Sequence, residues 1–398
     1  MRIVHIISGL SVGGAEMMLY RLIQASQRTG AQHTVICMSS LDMMGDRIRA
    51  LGVEVRMLNM SRAVPNPFKL VQLIGWLREL RPDVVQTWMY HADLFGGVAA
   101  RIARLFNGRS GRSERGAART VLAWGVHQTE FPSRRSGMKL ALTAKLCASL
   151  SSWLPDTIVC CGEATRRSHI AGGYAASRMN TIFNGFDVEL FEPGTRAGDP
   201  LREALGLAPG TQLVGIVGRY DPAKDYANFV AAVAQVARSL PACHFVMIGR
   251  GLDSTNVELR SMVERAGVAQ VCHLMGPRND IHLLLPALDV FCLSSRSEGI
   301  PTVVGEAMAS GVPCVATDVG DTALLVGDTG VIVPPGTPDA LAEGMRTLLT
   351  MAPDERASRG EQARARMKSA FSIERCWSGY RELYQSKRAA TQINAGIA

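Results

Sequence analysis

The chain has 398 residues, of which 47% are hydrophobic and 20% charged, and its formal net charge is +8. This length exceeds one ordinary hydrophobic core and predicts two domains, and the lack of an apolar run of about 18 residues argues against a membrane-spanning helix. Nine scattered cysteines show neither a disulfide framework nor a zinc spacing, so we expect a reduced, cytoplasmic environment.

The positive charge is concentrated in the first half of the chain. Residues 1–190 contain 23 Lys and Arg against 13 Asp and Glu, whereas residues 191–398 contain 20 against 22. A basic half indicates an anionic partner. Nucleic acid is not expected, because the chain lacks a helix-turn-helix and a basic-aromatic RNA-binding motif. Anionic lipid, a phosphorylated acceptor and a solvated surface without a partner all remain open.

Short β-branched runs alternate with helical patterns from the first residue. The start, MRIVHIISGL, lacks a cleavage site and predicts a strand rather than a signal peptide. The alternation predicts an α/β domain, a doubly wound parallel sheet with helices on both faces. One stretch, residues 101–120, contains six arginines and predicts an exposed, mobile loop. The other predicted strands are HTVICMS, VEVRMLN, DVVQTW, TVLAWGVH and TIVCCG, and the helices include AEMMLYRLIQAS and PFKLVQLIGWLREL.

The same alternation restarts after a Gly- and Pro-rich break, FEPGTRAGDP, with the predicted strands QLVGIVGR, HFVMIGR, VCHLMG, VFCLSS and PCVATDVG. We therefore predict one domain over 1–190, a second over 205–370, and a helix and tail over 371–398. Trp377, Tyr380 and Tyr384 recur at helical spacing in this last helix, which predicts a packing face.

Open α/β sheets bind ligands beyond the carboxyl ends of their strands, and unusual residues follow several predicted strands. Gly13 and Gly14 follow the first strand and precede a helix, which suits an anion, although a structural turn fits equally well. Arg219 and Lys224, in GRYDPAKDY, follow the first strand of the second domain. Two cations at this position suit a diphosphate, although a solvated turn fits equally well.

The segment SEGIPTVVGEAMASGVPCVA carries two glutamates, Glu298 and Glu306, with seven residues between them. Pro301 predicts a helix start, so Glu298 lies in a loop and Glu306 within the short helix that follows. The amides of 299–303 would form an anion nest between the two carboxylates. This arrangement suits a sugar nucleotide, whose hydroxyls bind carboxylates while its phosphates bind amides. The small, apolar surroundings of Glu306 argue against a purely solvated role.

Together these motifs resemble the retaining glycosyltransferases of family 4 (GT4). The resemblance rests on E-x7-E at 298–306, GGAE at 13–16, GR-x4-K at 218–224 and NGFD at 184–187, in the family's order over nearly the whole chain. It implies the GT-B fold, two facing Rossmann-like doubly wound domains with an inter-domain cleft. The first domain would serve the acceptor and the second the nucleotide sugar, with the last helix packing back across the cleft.

The resemblance also implies roles for individual residues. Glu306 would bind the ribose, and Glu298 would contact hydroxyls of the donor sugar. Arg219 and Lys224 would neutralise the diphosphate leaving group, and His127, in WGVHQTE, would lie near the donor sugar. Further contacts with the nucleotide or its phosphates are implied for Gly13, Gly14, Gly218, Gly249, Gly251, Arg278, Gly299, Ile300, Pro301, Thr302 and Val303.

The implied reaction is the transfer, with retained configuration, of a sugar from a nucleotide-diphosphate donor to a hydroxyl of a glycan. A UDP-sugar is favoured, the acceptor is lipid-linked in one version, and the setting is bacterial cell-surface polysaccharide biosynthesis (O-antigen, capsule or exopolysaccharide). No metal or other cofactor is expected, because the cations would carry the leaving group's charge.

The basic first domain gives the hypothesis of a peripheral contact with the anionic inner face of the cytoplasmic membrane. Residues 134–154 mix cations with leucines and end near a tryptophan, as interfacial helices do. An ordinary amphipathic helix packed on the sheet explains the same segment equally well.

Three other functions remain open. An enzyme like UDP-N-acetylglucosamine 2-epimerase would share the fold and need no acceptor. A nucleotide-sugar-binding protein without catalysis is a second, disfavoured by the intact motif residues. A dinucleotide-dependent oxidoreductase is disfavoured because no G-x-G-x-x-G is present.

Overall fold

A computed structural model describes residues 1–11, 13–40, 43–60, 67–109, 119–133, 136–194 and 200–396, without the side chains of 107–109 and 391–396. The chain forms two compact units. Unit 1 comprises Met1–Gly185 and Ile373–Ala398, and unit 2 comprises Phe186–Ser372. The last helix therefore belongs to the same unit as the N-terminal sheet.

The elements of the first part of the chain are β1 Arg2–Ile7, α1 Gly14–Gln27, β2 Gln32–Cys37, α2 Gly45–Ala50, β3 Glu54–Met57, α3 Pro67–Leu80, β4 Val84–Trp88, α4 Tyr90–Arg109, β5 Val121–Val126, α5 Met138–Leu150, β6 Thr157–Cys160, α6 Glu163–Ala171 and β7 Met179–Thr181. Those that follow are α7 Pro200–Ala204, β8 Leu213–Val217, α8 Tyr226–Ser239, β9 His244–Ile248, α9 Val257–Arg265, β10 Cys272–Gly276, α10 Ile281–Leu284, β11 Val290–Leu293, α11 Thr302–Ala309, β12 Cys314–Thr317, α12 Thr322–Val326, β13 Val331–Val333, α13 Pro338–Leu349, α14 Pro353–Ala370 and α15 Ile373–Gly396.

Each unit contains one parallel sheet, which confirms the predicted fold class. The strand order is β3-β2-β1-β4-β5-β6-β7 in unit 1 and β10-β9-β8-β11-β12-β13 in unit 2. In both sheets the chain changes direction between the first strand and its neighbour, at β1/β4 and at β8/β11. Such a switch point opens a crevice at the carboxyl edge of the sheet, where ligands bind.

Helices cover both faces of the unit 1 sheet. The central strand β5 is apolar and buried along its whole length, as expected of a parallel strand covered on both sides. Side chains of α1 and α15 pack on one face, whereas α3, α4 and α5 pack on the other. Trp377, Tyr380 and Tyr384 are all buried on the face of the sheet that α1 and α15 cover, so the predicted packing face of the last helix is confirmed.

Three differences from the sequence predictions concern secondary structure. The short strands β7 and β13 were not predicted, because three residues carry too little periodicity. The predicted loop over 101–120 is wrong for its first part, since α4 continues to Arg109, and residues 110–118 lie outside the described ranges.

Arginine favours helices, and here Arg101 and Arg104 of α4 also have partners, which helps to explain why the helix continues. Arg101 donates to the carbonyls of Leu154 and Trp153 at 2.6 and 2.7 Å, and Arg104 pairs with Asp156. In the part of the chain that the structure describes, none of the helices combines the length and the hydrophobicity needed to span a bilayer.

Candidate functional site

Two loops meet at the switch point of unit 2, one after β8 and one after β11. Lys224 Nζ donates to Glu298 Oε1 across 2.6 Å, and the two side chains are only 21% and 14% exposed. These residues are 74 positions apart, and the sequence assigned both to the donor. The structure brings them into one ion pair at the edge where a doubly wound sheet binds its ligand.

Polar side chains fix the geometry of the Glu298 loop. Ser295 Oγ donates to Glu298 Oε1 at 2.6 Å, so the same carboxylate oxygen accepts from Ser295 and from Lys224. The carbonyl of Ser295 accepts in turn from Thr317 Oγ1 at 2.7 Å. Ser295 and Thr317 are buried, and sequence reasoning missed both. Their only signal in the sequence is that each lies at, or within two residues of, the end of a buried strand.

A second set of contacts joins the two loops. Ser294 Oγ donates to the carbonyl of Lys224 at 2.7 Å, and the Arg296 amide donates to the carbonyl of Ala223 at 2.7 Å. Arg296 Nε also lies 2.7 Å from Asp225 Oδ2, and Asp225 caps α8 in a left-handed conformation, with φ 50°. The position of Lys224 is therefore set on both sides by backbone and charge contacts.

Arg219 lies two residues beyond the end of β8 and takes no part in this pair. Its Nε contacts Asp221 Oδ2 at 3.0 Å, and its side chain is 65% exposed. The amide of Ala223 and, after it, the guanidinium of Arg219 lower the pKa of Asp221. Arg278 is likewise exposed and pairs with Asp280, through Nε to Oδ1 at 2.8 Å. Both arginines are held by a carboxylate of their own loop rather than by Glu298.

Helix α11 carries Glu306 in a partly buried position and begins at Thr302, as the sequence predicted. Gly305 on the same helix lies against Phe186 of the NGFD motif, because a Cβ added there would come within 2.3 Å of the ring. Gly320 packs closely against the backbone of the Glu298 loop. Its φ is +60°, and a Cβ would come within 2.3 Å of the carbonyl of Glu298. Sequence reasoning assigned no role to Gly320.

Gly218 and Gly249 lie at the carboxyl ends of neighbouring strands. Gly249 has φ +147°, and a Cβ there would lie 1.8 Å from the carbonyl oxygen of Gly218. The close approach of these two backbones therefore requires glycine, whatever ligand is bound. Gly251 also has a positive φ, of +76°. The backbone around these glycines is thus set by packing, and contacts with a base remain a prediction.

In unit 1, Gly13 and Gly14 occupy the predicted position between β1 and α1. Gly13 is the N-cap residue of α1, in an extended conformation, and Gly14 is the exposed first residue of the helix. A Cβ added at Gly14 would meet no atom of the described residues within 4 Å. Packing among those residues therefore does not require glycine at position 14, and its contact with an anion remains a prediction.

His127 directly follows β5 in unit 1. Both of its ring nitrogens are buried, and neither has a well-formed hydrogen bond among the described residues. Burial lowers the pKa of His127 to about 4, although the nearby Asn184 side chain opposes this shift. The imidazole is therefore neutral at pH 7 and has one donor and one acceptor available. Trp88 at the end of β4 stacks on it, with ring centroids 4.7 Å apart.

Trp88 is itself held by a chain of hydrogen bonds that begins in the core of unit 1. Its Nε1 donates to His5 Nδ1 at 3.2 Å, His5 Nε2 lies 3.0 Å from His33 Nδ1, and His33 Nε2 lies 2.8 Å from Ser26 Oγ. An indole nitrogen can only donate, so His5 Nδ1 must accept, and each later group donates to the next. Burial lowers the pKa of both histidines, that of His33 to about 4, so the whole chain is neutral.

Family models match both units. The model described as Glycosyltransferase Family 4 matches residues 12–190, and the model described as Glycosyl transferases group 1 matches residues 211–351. Each predicted motif falls within or directly beside one of these ranges.

Curated relatives resemble most of the chain. A UDP-Gal:alpha-D-GlcNAc-diphosphoundecaprenol alpha-1,3-galactosyltransferase of Escherichia coli is 26% identical over 78% of this chain and 81% of its own length. The putative glycosyltransferase EpsF of Bacillus subtilis (strain 168) is 27% identical over 80% of this chain and 79% of its own length.

A solved structure agrees in fold. The Anabaena protein Alr3699/HepE, crystallised with UDP, superposes with a TM-score of 0.81 over 97% of this chain and 100% of its own, at 22% identity. The sequence motifs, the two doubly wound parallel sheets and the two family models agree, and the chain belongs to glycosyltransferase family 4, with the GT-B fold.

Proposed function

We propose that this glycosyltransferase takes a sugar from a UDP-linked donor, with retention of configuration, and transfers it to a glycan hydroxyl in bacterial cell-surface polysaccharide biosynthesis. The observation that carries the proposal is the Lys224–Glu298 ion pair at the switch point of unit 2. It joins a cation suited to phosphate and a carboxylate suited to sugar hydroxyls at one point. The Anabaena relative was crystallised with UDP and with UDP-glucose, and the Escherichia coli relative is named for UDP-Gal, which supports a uridine donor.

In this proposal, donor binding exchanges the partner of Lys224. The diphosphate attracts Lys224 Nζ, and Glu298, still held by Ser295, then accepts hydrogen bonds from hydroxyls of the donor sugar. Arg219 is exposed and pairs with Asp221 of its own loop, so its side chain can turn to the same phosphates. The two cations stabilise the leaving diphosphate as the glycosidic bond breaks.

The remaining site residues keep the roles that the family resemblance implies. Glu306 binds the ribose, and the neutral imidazole of His127 hydrogen-bonds a hydroxyl of the donor sugar. The departing diphosphate guides the acceptor hydroxyl on the face it leaves, so no covalent glycosyl-enzyme is needed. Contacts with the base, ribose and phosphates come from Gly13, Gly14, Gly218, Gly249, Gly251, Arg278, Gly299, Ile300, Pro301, Thr302 and Val303.

We further propose that the reaction needs no metal ion, because Arg219 and Lys224 supply the positive charge. The expected result is full transfer activity after dialysis against EDTA. Loss of activity that Mg²⁺ or Mn²⁺ restores would contradict this part of the proposal.

The acceptor in this proposal is lipid-linked and is reached at an anionic membrane surface. Helix α5 packs on the sheet through Ala141, Ala144 and Cys147, yet it also exposes Met138, Leu142 and Leu146. An ordinary packed helix would present a polar face there. Lys139 and Lys145 share the exposed face, so cations and apolar side chains alternate as on an interfacial helix.

Neighbouring helices carry further exposed apolar side chains. Helices α3 and α4 pack together, and α4 packs on α5. Phe68 and Val71 on α3, Leu105 on α4 and Trp153 after α5 are each more than half exposed. The excess of cations over residues 1–190 suits anionic headgroups. The Escherichia coli relative is named for a diphosphoundecaprenol-linked acceptor, which supports the same choice.

Vesicle flotation tests the membrane contact. We expect the protein to float with vesicles containing anionic phosphatidylglycerol, and Leu142→Glu to reduce binding severalfold. Leu283→Glu is the matched control, because Leu283 is an equally exposed leucine of unit 2 and should have no effect. No binding by the unmodified protein, or equal losses in both variants, would contradict the proposed surface.

A further inference from the structure

Tyr226 is the first residue of α8 and directly follows Asp225, the cap of that helix. Its side chain is only 3% exposed, and its hydroxyl oxygen has no hydrogen-bond partner among the described residues. A buried hydroxyl without a partner destabilises a folded protein, so native structures rarely keep one without a reason. A phenylalanine would fill the same space without this cost.

The hydroxyl lies beside the stem of Lys224. A Cβ added at Gly218 would be 3.2 Å from Tyr226 Oη and 3.3 Å from Lys224 Cε, so both groups border the same small space. The ring of Tyr226 stacks on that of Tyr220, with centroids 5.6 Å apart and planes 24° apart, which helps to fix its orientation. Tyr226 is therefore held with its hydroxyl beside Gly218 and Lys224.

The chemistry of this hydroxyl favours an anionic ligand. Burial, followed by the charges of Glu298 and Asp221, raises the pKa of Tyr226, so the group stays protonated and can donate. A phosphate that attracts Lys224 Nζ away from Glu298 would enter the space beside Gly218. Gly218 leaves that space open because it has no side chain.

We propose that Tyr226 is a further donor-binding residue, whose hydroxyl donates a hydrogen bond to an anionic oxygen of the donor's diphosphate beside Lys224. The inference rests on the proposed function and adds a residue to the same site. It explains why α8 begins with a buried tyrosine whose hydroxyl has no hydrogen-bond partner among the described residues.

Two variants of the stacked tyrosines separate a binding role from a packing role. Tyr226→Phe removes only the hydroxyl beside Lys224. Tyr220→Phe is the matched control, since it removes a hydroxyl from the other ring of the same stack, and that hydroxyl interacts with Glu258. We expect Tyr226→Phe to melt at the same or a higher temperature than the unmodified protein without ligand. A merely structural hydroxyl would give no loss of ligand affinity in that case.

Isothermal titration with UDP and with inorganic pyrophosphate gives the decisive readout. We expect Tyr226→Phe to bind both about tenfold more weakly, as for one lost hydrogen bond to a charged group. Tyr220→Phe should bind both as the unmodified protein does. Unchanged affinity in Tyr226→Phe, or a loss for UDP but not for pyrophosphate, overturns the inference and leaves the proposed function standing. Failure of the unmodified protein to bind UDP overturns both.

Discussion

The carboxyl edges of the two sheets share a topology and differ in chemistry. In unit 2 the edge is charged, and Lys224 pairs with Glu298 while Arg296 pairs with Asp225. In unit 1 the part of the edge that follows β4 and β5 is aromatic and neutral, where His127 stacks on Trp88. The same fold thus provides one edge able to bind a charged leaving group and another able to contact neutral hydroxyls. Function is a property of the residues that follow the strands, not of the sheet.

The energetic logic of the two edges also differs. The charged edge is only partly buried, so its ion pairs can exchange partners with an incoming anion at modest cost. At the neutral edge Trp88 and the ring nitrogens of His127 are buried, and His127 avoids the cost of a buried charge by remaining deprotonated. The partly buried ion pairs of unit 2 suit an exchange of ligands, and the buried, neutral contacts of unit 1 suit a fixed orientation of His127.

The largest expected effects come from substituting two residues of the proposed donor site in unit 2. Lys224→Ala and Glu306→Ala should each reduce sugar transfer about a hundredfold or more, because stabilisation of the leaving group or ribose binding is lost. Both variants should remain folded by circular dichroism. Lys368→Ala, at an exposed lysine of α14, is the control and should keep full activity. Near-normal turnover in either site variant would overturn the site assignment.

A smaller effect is expected at the neutral edge. Trp88→Phe keeps an aromatic ring against His127 but loses the donor to His5, so the orientation of His127 should relax. We expect kcat to fall about tenfold while the KM for the donor stays unchanged.

Trp124→Phe is the matched control for that variant. Trp124 is also fully buried, but its Nε1 has no hydrogen-bond partner among the described residues. Both variants should lose about 1–3 kcal/mol of unfolding free energy, and only Trp88→Phe should lose kcat. Equal activity in the two variants would show that Trp88 serves packing alone.

A third effect concerns the acid stability that follows from three histidines of unit 1. The pKa values of His33, His127 and His169 are lowered to about 4, so the unfolded chain binds more protons than the folded one between about pH 4 and 6.5. The contribution of these neutral histidines to the free energy of unfolding is therefore fully present above about pH 6.5. It decreases as the pH is lowered through this window, by up to about 1.4 kcal/mol per pH unit for each histidine.

Thermal unfolding between pH 7.5 and 5.0 checks this prediction. The melting temperature should decrease as the pH is lowered. His33→Gln removes one of the titrating groups, so its melting temperature should depend less steeply on pH. A melting temperature that stays constant across the range would contradict the assignment of neutral buried histidines.

The alternation of short apolar runs with helical patterns was enough to predict most of the fold. Runs such as RIVHIIS and VFCLSS are continuous because the strands they form are covered on both faces. The sequence also identified Lys224 and Glu298 separately as donor residues. Their ion pair was not predictable, since contact between residues 74 positions apart depends on the neighbouring positions of β8 and β11. Tyr226 was missed because an aromatic residue at a helix start usually indicates packing, and only the structure reveals its unpartnered hydroxyl.

The central claim is that Lys224 binds the diphosphate of a uridine nucleotide. Isothermal titration of UDP and of uridine against the unmodified protein and Lys224→Ala tests it most directly. We expect the unmodified protein to bind UDP at least a hundredfold more tightly than uridine, and Lys224→Ala to lose most of that preference. Equal binding of UDP and uridine to the unmodified protein, or an undiminished preference in Lys224→Ala, would contradict the account.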